Sequence, residues 1–115
     1  KMIQTHIEDY IKKVEDIGAG EILLKAIHRD GTASGYDLEL IDIVKKFTNL
    51  PIIITGGVGN WEDFLLGSQK NVDAVAASNI FHFFQNSYFE AIKFLNNKGS
   101  NFRKPIISKI TNFKD

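Results

Sequence analysis

Three short stretches of this chain hold residue types that could do chemistry together. Gly56-Gly57-Val58-Gly59 follows an apolar run and precedes a helix start at Asn60. Backbone N–H groups at such a point have no intrahelical partner, and with the helix dipole they form a phosphate cradle. The bland alternative is a tight strand-to-helix turn. Ala77-Ser78-Asn79 closes a second small-residue run. The Ser78 hydroxyl and the amides after it could hold another edge of the same phosphate, or Ser78 could simply cap a helical turn. Arg29-Asp30-Gly31-Thr32 follows a third apolar run. The Asp30 carboxylate could orient a hydroxyl or ammonium group or shuttle a proton, or it could shape an Asx-turn in a surface loop. His28 and His82 have no metal-ligand spacing to one another, and each reads as an ordinary loop or helix histidine. No metal site is expected.

The elements that must position these residues alternate. Ile3, Ile7, Tyr10, Ile11, Val14 and Ile17 recur at helix period over residues 3–17, with Thr5 and Glu8 at capping-box spacing and Gly18-Ala19-Gly20 as the stop. Residues 21–27 form a buried strand, and residues 28–36 a loop. Asp37 caps a helix over 38–47. Residues 51–55 are dense in β-branched side chains and form the second strand, which Pro51 can open because a first strand residue needs no ladder donor. Asn60 caps a helix to about Ser68, with Glu62 and Asp63 in its first turn. Residues 72–77 form a third strand, followed by a helical turn through Phe83. Ser87 caps a last helix over 88–97, with Ala91, Ile92 and Leu95 inward, and Gly99 closes it. Residues 104–115 are an irregular tail.

Alternating strands and helices imply right-handed crossovers and a parallel sheet, in a barrel or a doubly wound arrangement. Three strands cannot close a (β/α)₈ barrel, which takes roughly 200–250 residues. Both phosphate candidates follow neighbouring strands, as in many barrels after strands seven and eight. Period two puts Glu21, Leu23, Lys25 and Ile27 on one face of the first strand. Charged groups on that face must be paired or wet, so it lines a polar channel or is the open side of an edge strand.

Composition excludes several classes of function. Fourteen basic residues balance fourteen acidic ones over 115 residues, so nothing in bulk charge favours nucleic acid or an anionic membrane surface. With no Cys, disulfides, thiolate zinc and a thiol nucleophile are out. The start carries no signal-peptide pattern, no apolar run approaches a membrane span, and a soluble cytoplasmic protein is expected. Lys1 in place of Met suits a piece of a longer protein.

Five blocks resemble, in order, the C-terminal part of the cyclase subunit of imidazole glycerol phosphate synthase: Gly18-Ala-Gly-Glu-Ile-Leu-Leu24, Arg29-Asp-Gly-Thr32, Ser34-Gly-Tyr-Asp-Leu-Glu-Leu40, the run from Pro51 to Asn60, and the run from Ala74 to His82. The resemblance extends from about residue 6 to residue 103. It implies an α/β fold of the (β/α)₈ TIM-barrel family, with this chain covering strands six to eight. The implied activity joins ammonia from a glutaminase partner to a phosphoribulosyl aminoimidazole-carboxamide intermediate, in histidine biosynthesis and without a cofactor. The products are imidazole glycerol phosphate and aminoimidazole-carboxamide ribotide.

By the same resemblance Asp30, Gly31 and Thr32 contact substrate, Asp30 in a supporting catalytic role. Thr55, Gly56, Gly57, Ala77 and Ser78 bind substrate or phosphate, and Glu21 belongs to the ammonia gate. The family's two catalytic aspartates lie on strands one and five, outside this chain, so the 115 residues alone are expected to be inactive. Lys25 stands where a small polar residue is usual, His28 where Asp is common and Thr55 where Ser is common. A paralogue that amidates surface-polysaccharide sugars and a non-catalytic phosphate-binding fragment are the alternatives.

Overall fold

A computed structural model describes residues 2–82 and 87–104, with the side chains of residues 2–5 left aside. The elements are α1 (Met2–Asp16), β1 (Ile22–Lys25), α2 (Leu38–Lys45), β2 (Ile52–Thr55), α3 (Trp61–Gln69), β3 (Ala74–Val75), a 3₁₀ turn (Asn79–His82) and α4 (Ser87–Asn97). The three strands form one parallel sheet in the order β1-β2-β3. The expected α/β alternation and parallel pairing are both present.

Boundaries differ from the sequence expectation where tertiary bonding intervenes. Helix α1 runs through Thr5 back to Met2, so Thr5 does not start it. Strand β1 stops at Lys25 because the chain coils at once: the Arg29 and Asp30 N–H groups both donate to the Ala26 carbonyl at 3.0 Å. Strand β3 is short, yet its ladder reaches further, since Asp73 N–H donates to Ile52 O at 2.9 Å and Ala76 N–H to Ile54 O at 2.8 Å. The Asp73 carboxylate also accepts from Ile52 N–H at 2.9 Å, which ties the lower ends of β2 and β3. Ser87 is the first residue of α4 rather than a cap outside it. The expected turn at Phe83 and the tail beyond Lys104 lie outside the described residues.

The helices stack on one face of the sheet. Ile52 and Ile54 of β2 join Ile11, Tyr36, Ile41, Val44, Phe64, Ala91 and Leu95 in a single core. Fixing β1 against β2 in the register Ile22↔Ile52 and Leu24↔Ile54 places Ile22 and Leu24 on the same side. Two further ties hold the helical layer. The Lys45 ammonium donates to the carbonyls of Lys70 and Asn71 at 2.6 and 2.8 Å, meeting orphan acceptors just past the end of α3. The hydroxyl of the buried Tyr36 side chain donates to Ala76 O at 2.9 Å and so spans from the loop before α2 to the residue just after β3.

The other face is bare among the described residues. Leu23 is 64% exposed and Ile27 80%, and the registers put Leu23, Ile53 and Ala74 in one row, with Lys25 and Thr55 in the next. Among the described residues this face is open to solvent. Parallel sheets are ordinarily covered on both faces, and each Leu or Ile buried would gain about 1.5–3 kcal/mol. Among the described residues, strands β1 and β3 also leave free ladder edges. The isolated chain should therefore self-associate. Sedimentation should find dimers or larger species at micromolar concentration, and a sharp-melting monomer would contradict the exposed sheet.

Burial, and after it the Asp63 charge, raises the Tyr36 phenol above its ordinary range. The folded state thus favours neutral tyrosine, whose unfolded value is about 10. The resulting stability is complete below about pH 10 and is lost as pH climbs through the raised folded value. Tyr36→Phe should cost about 0.5–1.5 kcal/mol at neutral pH by loss of the Ala76 hydrogen bond. It should also flatten the alkaline fall in stability, measured as denaturant midpoints of both proteins from pH 8 to 11.

Candidate functional site

The loops at the C-terminal ends of all three strands meet around one small cleft. It is lined by Asp30 and Gly31 from the β1 loop, Gly56, Gly57 and Val58 from the β2 loop, and Ala77, Ser78 and Asn79 after β3. Six of the nine residues named from sequence are therefore together. Thr32, Thr55 and Glu21 are not among the lining. The Thr32 hydroxyl is engaged within its own loop, to Arg29 O at 2.7 Å and to the Ser34 hydroxyl at 2.6 Å. Thr55 ends β2 just before the cleft. Glu21 precedes β1 and is exposed at the opposite end of the sheet. Val58 and Asn79, which belong to the same two small-residue turns as Gly57 and Ser78, also line the cleft.

The β2 loop owes its path to glycine. Gly56 and Gly57 sit at φ of 98° and 100°, a region that disfavours side chains. Gly35 N–H donates to Gly57 O at 2.8 Å. A Cβ built on Gly57 would land on the Gly35 carbonyl oxygen, and it would lie 3.1 Å from the Arg29 Cβ. The missing side chain at Gly57 thus makes room for the neighbouring loop, a packing requirement separate from any ligand. Gly56 is similar, its Cβ meeting Ala26 O at 2.9 Å.

The start of α3 is already charge-compensated. Asn60 accepts from Asp63 N–H at 3.0 Å, and the Asp63 carboxylate accepts from Gly59 and Asn60 N–H at 2.8 and 3.1 Å, a complete capping box. These amides are consequently unavailable to an anion, which takes Gly59 out of the expected glycine cradle and leaves Gly56 and Gly57. What is left lies one step earlier. Among the described residues, the N–H groups of Gly57, Val58, Ser78 and Asn79 meet no acceptor in the chain. Gly57 and Val58 are buried, and buried N–H groups without partners are rare in folded proteins. These four donors, two of them buried, and one serine hydroxyl around a cleft suit a small oxyanion.

The surrounding ionic groups are tied down. Lys25 Nζ pairs with Asp30 Oδ2 at 2.8 Å. His28 Nε2 lies 3.0 Å from Asp37 Oδ2, and the other oxygen of Asp37 accepts from Leu40 N–H at 3.0 Å to cap α2. His28 is a loop histidine, as expected, and the fold also binds it to a helix cap. Arg29 reaches Ser34 O at 3.1 Å. Among the described residues no three His, Asp or Glu side chains gather as a metal cluster, and no helix is long and apolar enough to cross a membrane.

Comparison with known proteins adds a family to this geometry. A family model described as "Histidine biosynthesis protein" matches residues 1–87. The chain is similar to the imidazole glycerol phosphate synthase subunit HisF of Thermotoga sp. (strain RQ2), 45% identical over 97 residues, or 84% of this chain and 38% of that protein. It is 47% identical over 92 residues to the HisF subunit of Dictyoglomus thermophilum, covering 80% of this chain and 36% of that one. To that of Prosthecochloris aestuarii it is 42% identical over 100 residues, 86% and 40% respectively. The chain thus spans about two fifths or less of the length of these curated relatives.

The glycine geometry separates packing from ligand effects. Gly57→Ala should destabilise the fold by about 2–4 kcal/mol, through a clash with Gly35 and an unfavourable φ. Gly31 has a φ of 77° with nothing within 4 Å of a built Cβ, so Gly31→Ala should cost only about 1 kcal/mol. Thermal unfolding of the two variants tests this order; equal losses would mean the Gly57–Gly35 contact does not constrain the loop.

Proposed function

The chain belongs to the histidine biosynthesis protein family, and on that premise we propose that it is part of the cyclase subunit of an imidazole glycerol phosphate synthase. Its three strands correspond to strands six, seven and eight of a (β/α)₈ barrel, with residues 1–103 as barrel and 104–115 as a tail. The cleft at their C-terminal ends takes one phosphate of the phosphoribulosyl aminoimidazole-carboxamide intermediate. The carrying observation is the set of four unpartnered N–H groups from two neighbouring strand ends around one cleft.

Each residue then has a task. The N–H groups of Gly57 and Val58 hold one side of the phosphate, and Ser78 and Asn79 hold the other. Donors already in place lose little on binding, because the β2 loop is fixed by its contact with Gly35. Gly56 and Ala77 leave the backbone accessible by carrying little or no side chain. Asp30 and Gly31 form the third edge, with the Asp30 carboxylate accepting from a substrate hydroxyl as a supporting group. Thr32 and Thr55 act indirectly, one by holding the β1 loop and the other by ending β2 at the cleft. At the far end of the sheet Glu21 belongs to the entry through which ammonia from a glutaminase subunit passes. The groups that make and break bonds reside on other strands of the whole protein, which works in the cytoplasm without a cofactor.

Lys25, a cation on the open sheet face, favours a second reading, in which the protein amidates a surface-polysaccharide sugar. Complementation separates the two. The intact gene encoding this chain should restore growth of a histidine auxotroph lacking the cyclase; failure together with activity on the sugar would overturn the first reading. In the purified synthase Ser78→Ala should raise KM several-fold, the effect of about 0.5–1.5 kcal/mol or somewhat more against a charged acceptor. Ser78→Asp should raise KM ten-fold or more, to roughly the extent that a like charge opposes the phosphate. An unchanged KM for Ser78→Asp would exclude the cleft as the phosphate site.

A further inference from the structure

We propose that Lys25 is a positioning residue that neutralises and holds the Asp30 carboxylate at the rim of the cleft, so that an acidic side chain and an anionic ligand can occupy the same mouth. The inference rests on reading the cleft as an anion site. Its starting point is a conflict of charge. The donors of the cleft are all neutral, being backbone N–H groups and one hydroxyl, and the one ionic side chain in its lining is Asp30. A carboxylate beside a bound oxyanion repels it unless a cation stands close by.

The fold supplies that cation through a short, defined route. Lys25 is the last residue of β1 and lies on the open face of the sheet, in the row of Thr55. The turn that follows brings Asp30 back toward the strand end, since its N–H donates to Ala26 O at 3.0 Å and to Ile27 O at 3.3 Å. The ammonium and carboxylate then meet at 2.8 Å. Among the described residues the neighbouring ionic side chains are engaged elsewhere. Arg29 is spent on Ser34 O, and His28 is held by Asp37. Asp63 is spent on its capping box and lies outside the lining.

Structural stability is a poor explanation for the pair. The two side chains are 53% and 37% exposed, and ion pairs this open to water contribute little to folding. Replacing either residue should therefore leave the melting temperature nearly unchanged, and the variants should fold.

The test is a double-mutant cycle read by the dissociation constant of inorganic phosphate, on the protein in the assembled form in which it is isolated. Lys25→Met should weaken phosphate binding by about ten-fold, the order expected when an unscreened carboxylate faces an anion across a few ångströms at the protein surface. Lys25→Arg should restore binding to within about two-fold, since charge and reach are kept. Asp30→Asn placed in the Lys25→Met background should recover most of the loss, because the repelling charge is gone. An unchanged constant for Lys25→Met, or no recovery on adding Asp30→Asn, overturns the inference. Ser78→Asp, measured alongside, reports on the cleft itself. If it weakens phosphate while Lys25→Met does not, only the role of Lys25 fails. If Ser78→Asp has no effect either, the anion site fails with it.

Discussion

The approach of two backbones, at Gly35 and Gly57, is the constraint on which the site depends. The loops after β1 and β2 lie against each other with Gly35 N–H bonded to Gly57 O, and no Cβ fits at Gly57. That contact sets the distance between the Asp30 side of the cleft and the Gly57 side. It also fixes the positive φ values of Gly56 and Gly57, which turn the chain abruptly at the end of β2. A strand end that continued in extended conformation would carry the N–H groups of Gly57 and Val58 past the cleft. Glycine is thus required by one loop for the benefit of a site shared by three.

Charge is distributed so that the cleft stays open to an anion. Asp63, a carboxylate at the start of α3, takes the Gly59 and Asn60 amides for itself. The Asp37 carboxylate is divided between α2 and His28. These two acids are engaged within the fold, and Asp30 has Lys25. The donors without a described partner include those of Gly57, Val58, Ser78 and Asn79, and these belong to loops and a short 3₁₀ turn rather than to the first turn of a long helix. In this arrangement the helix dipole is answered by an internal carboxylate, and the anion-binding capacity moves to the preceding turn.

The sheet has one finished face and one unfinished face. Ile52 and Ile54 are deep in the helical core, whereas Leu23 and Ile27 meet solvent. A helical layer and three strands are enough to bring the loops of the site together, because each strand-to-helix connection crosses at the same end of a parallel sheet. They are too few to cover the opposite side, and the chain spans about two fifths or less of its curated relatives. The organisation of the mouth is accordingly more local than the completion of the core.

Much of this protein was legible in its residue order, for reasons that are local. Helix period, the β-branched run 51–55, the Asn60 and Asp37 caps and the glycine punctuation each act within a few residues, so the α/β alternation and the starts of α2 and α3 follow directly from residue type. The five motif blocks similarly carry the family and bring Asp30, Gly31, Gly56, Gly57, Ala77 and Ser78 to notice. Tertiary structure alone decided which amides remain free, because Asp63 consumes two of them through a bond that only the folded turn allows. It decided that Thr32 serves its own loop, that β1 stops at Lys25, and that the missing side chain of Gly57 makes room for Gly35. It also joined Lys25 to Asp30. Residue types state what each group is able to bind. Which partner it binds depends on distances across the fold, and those are set by the packing of three loops at one end of the sheet.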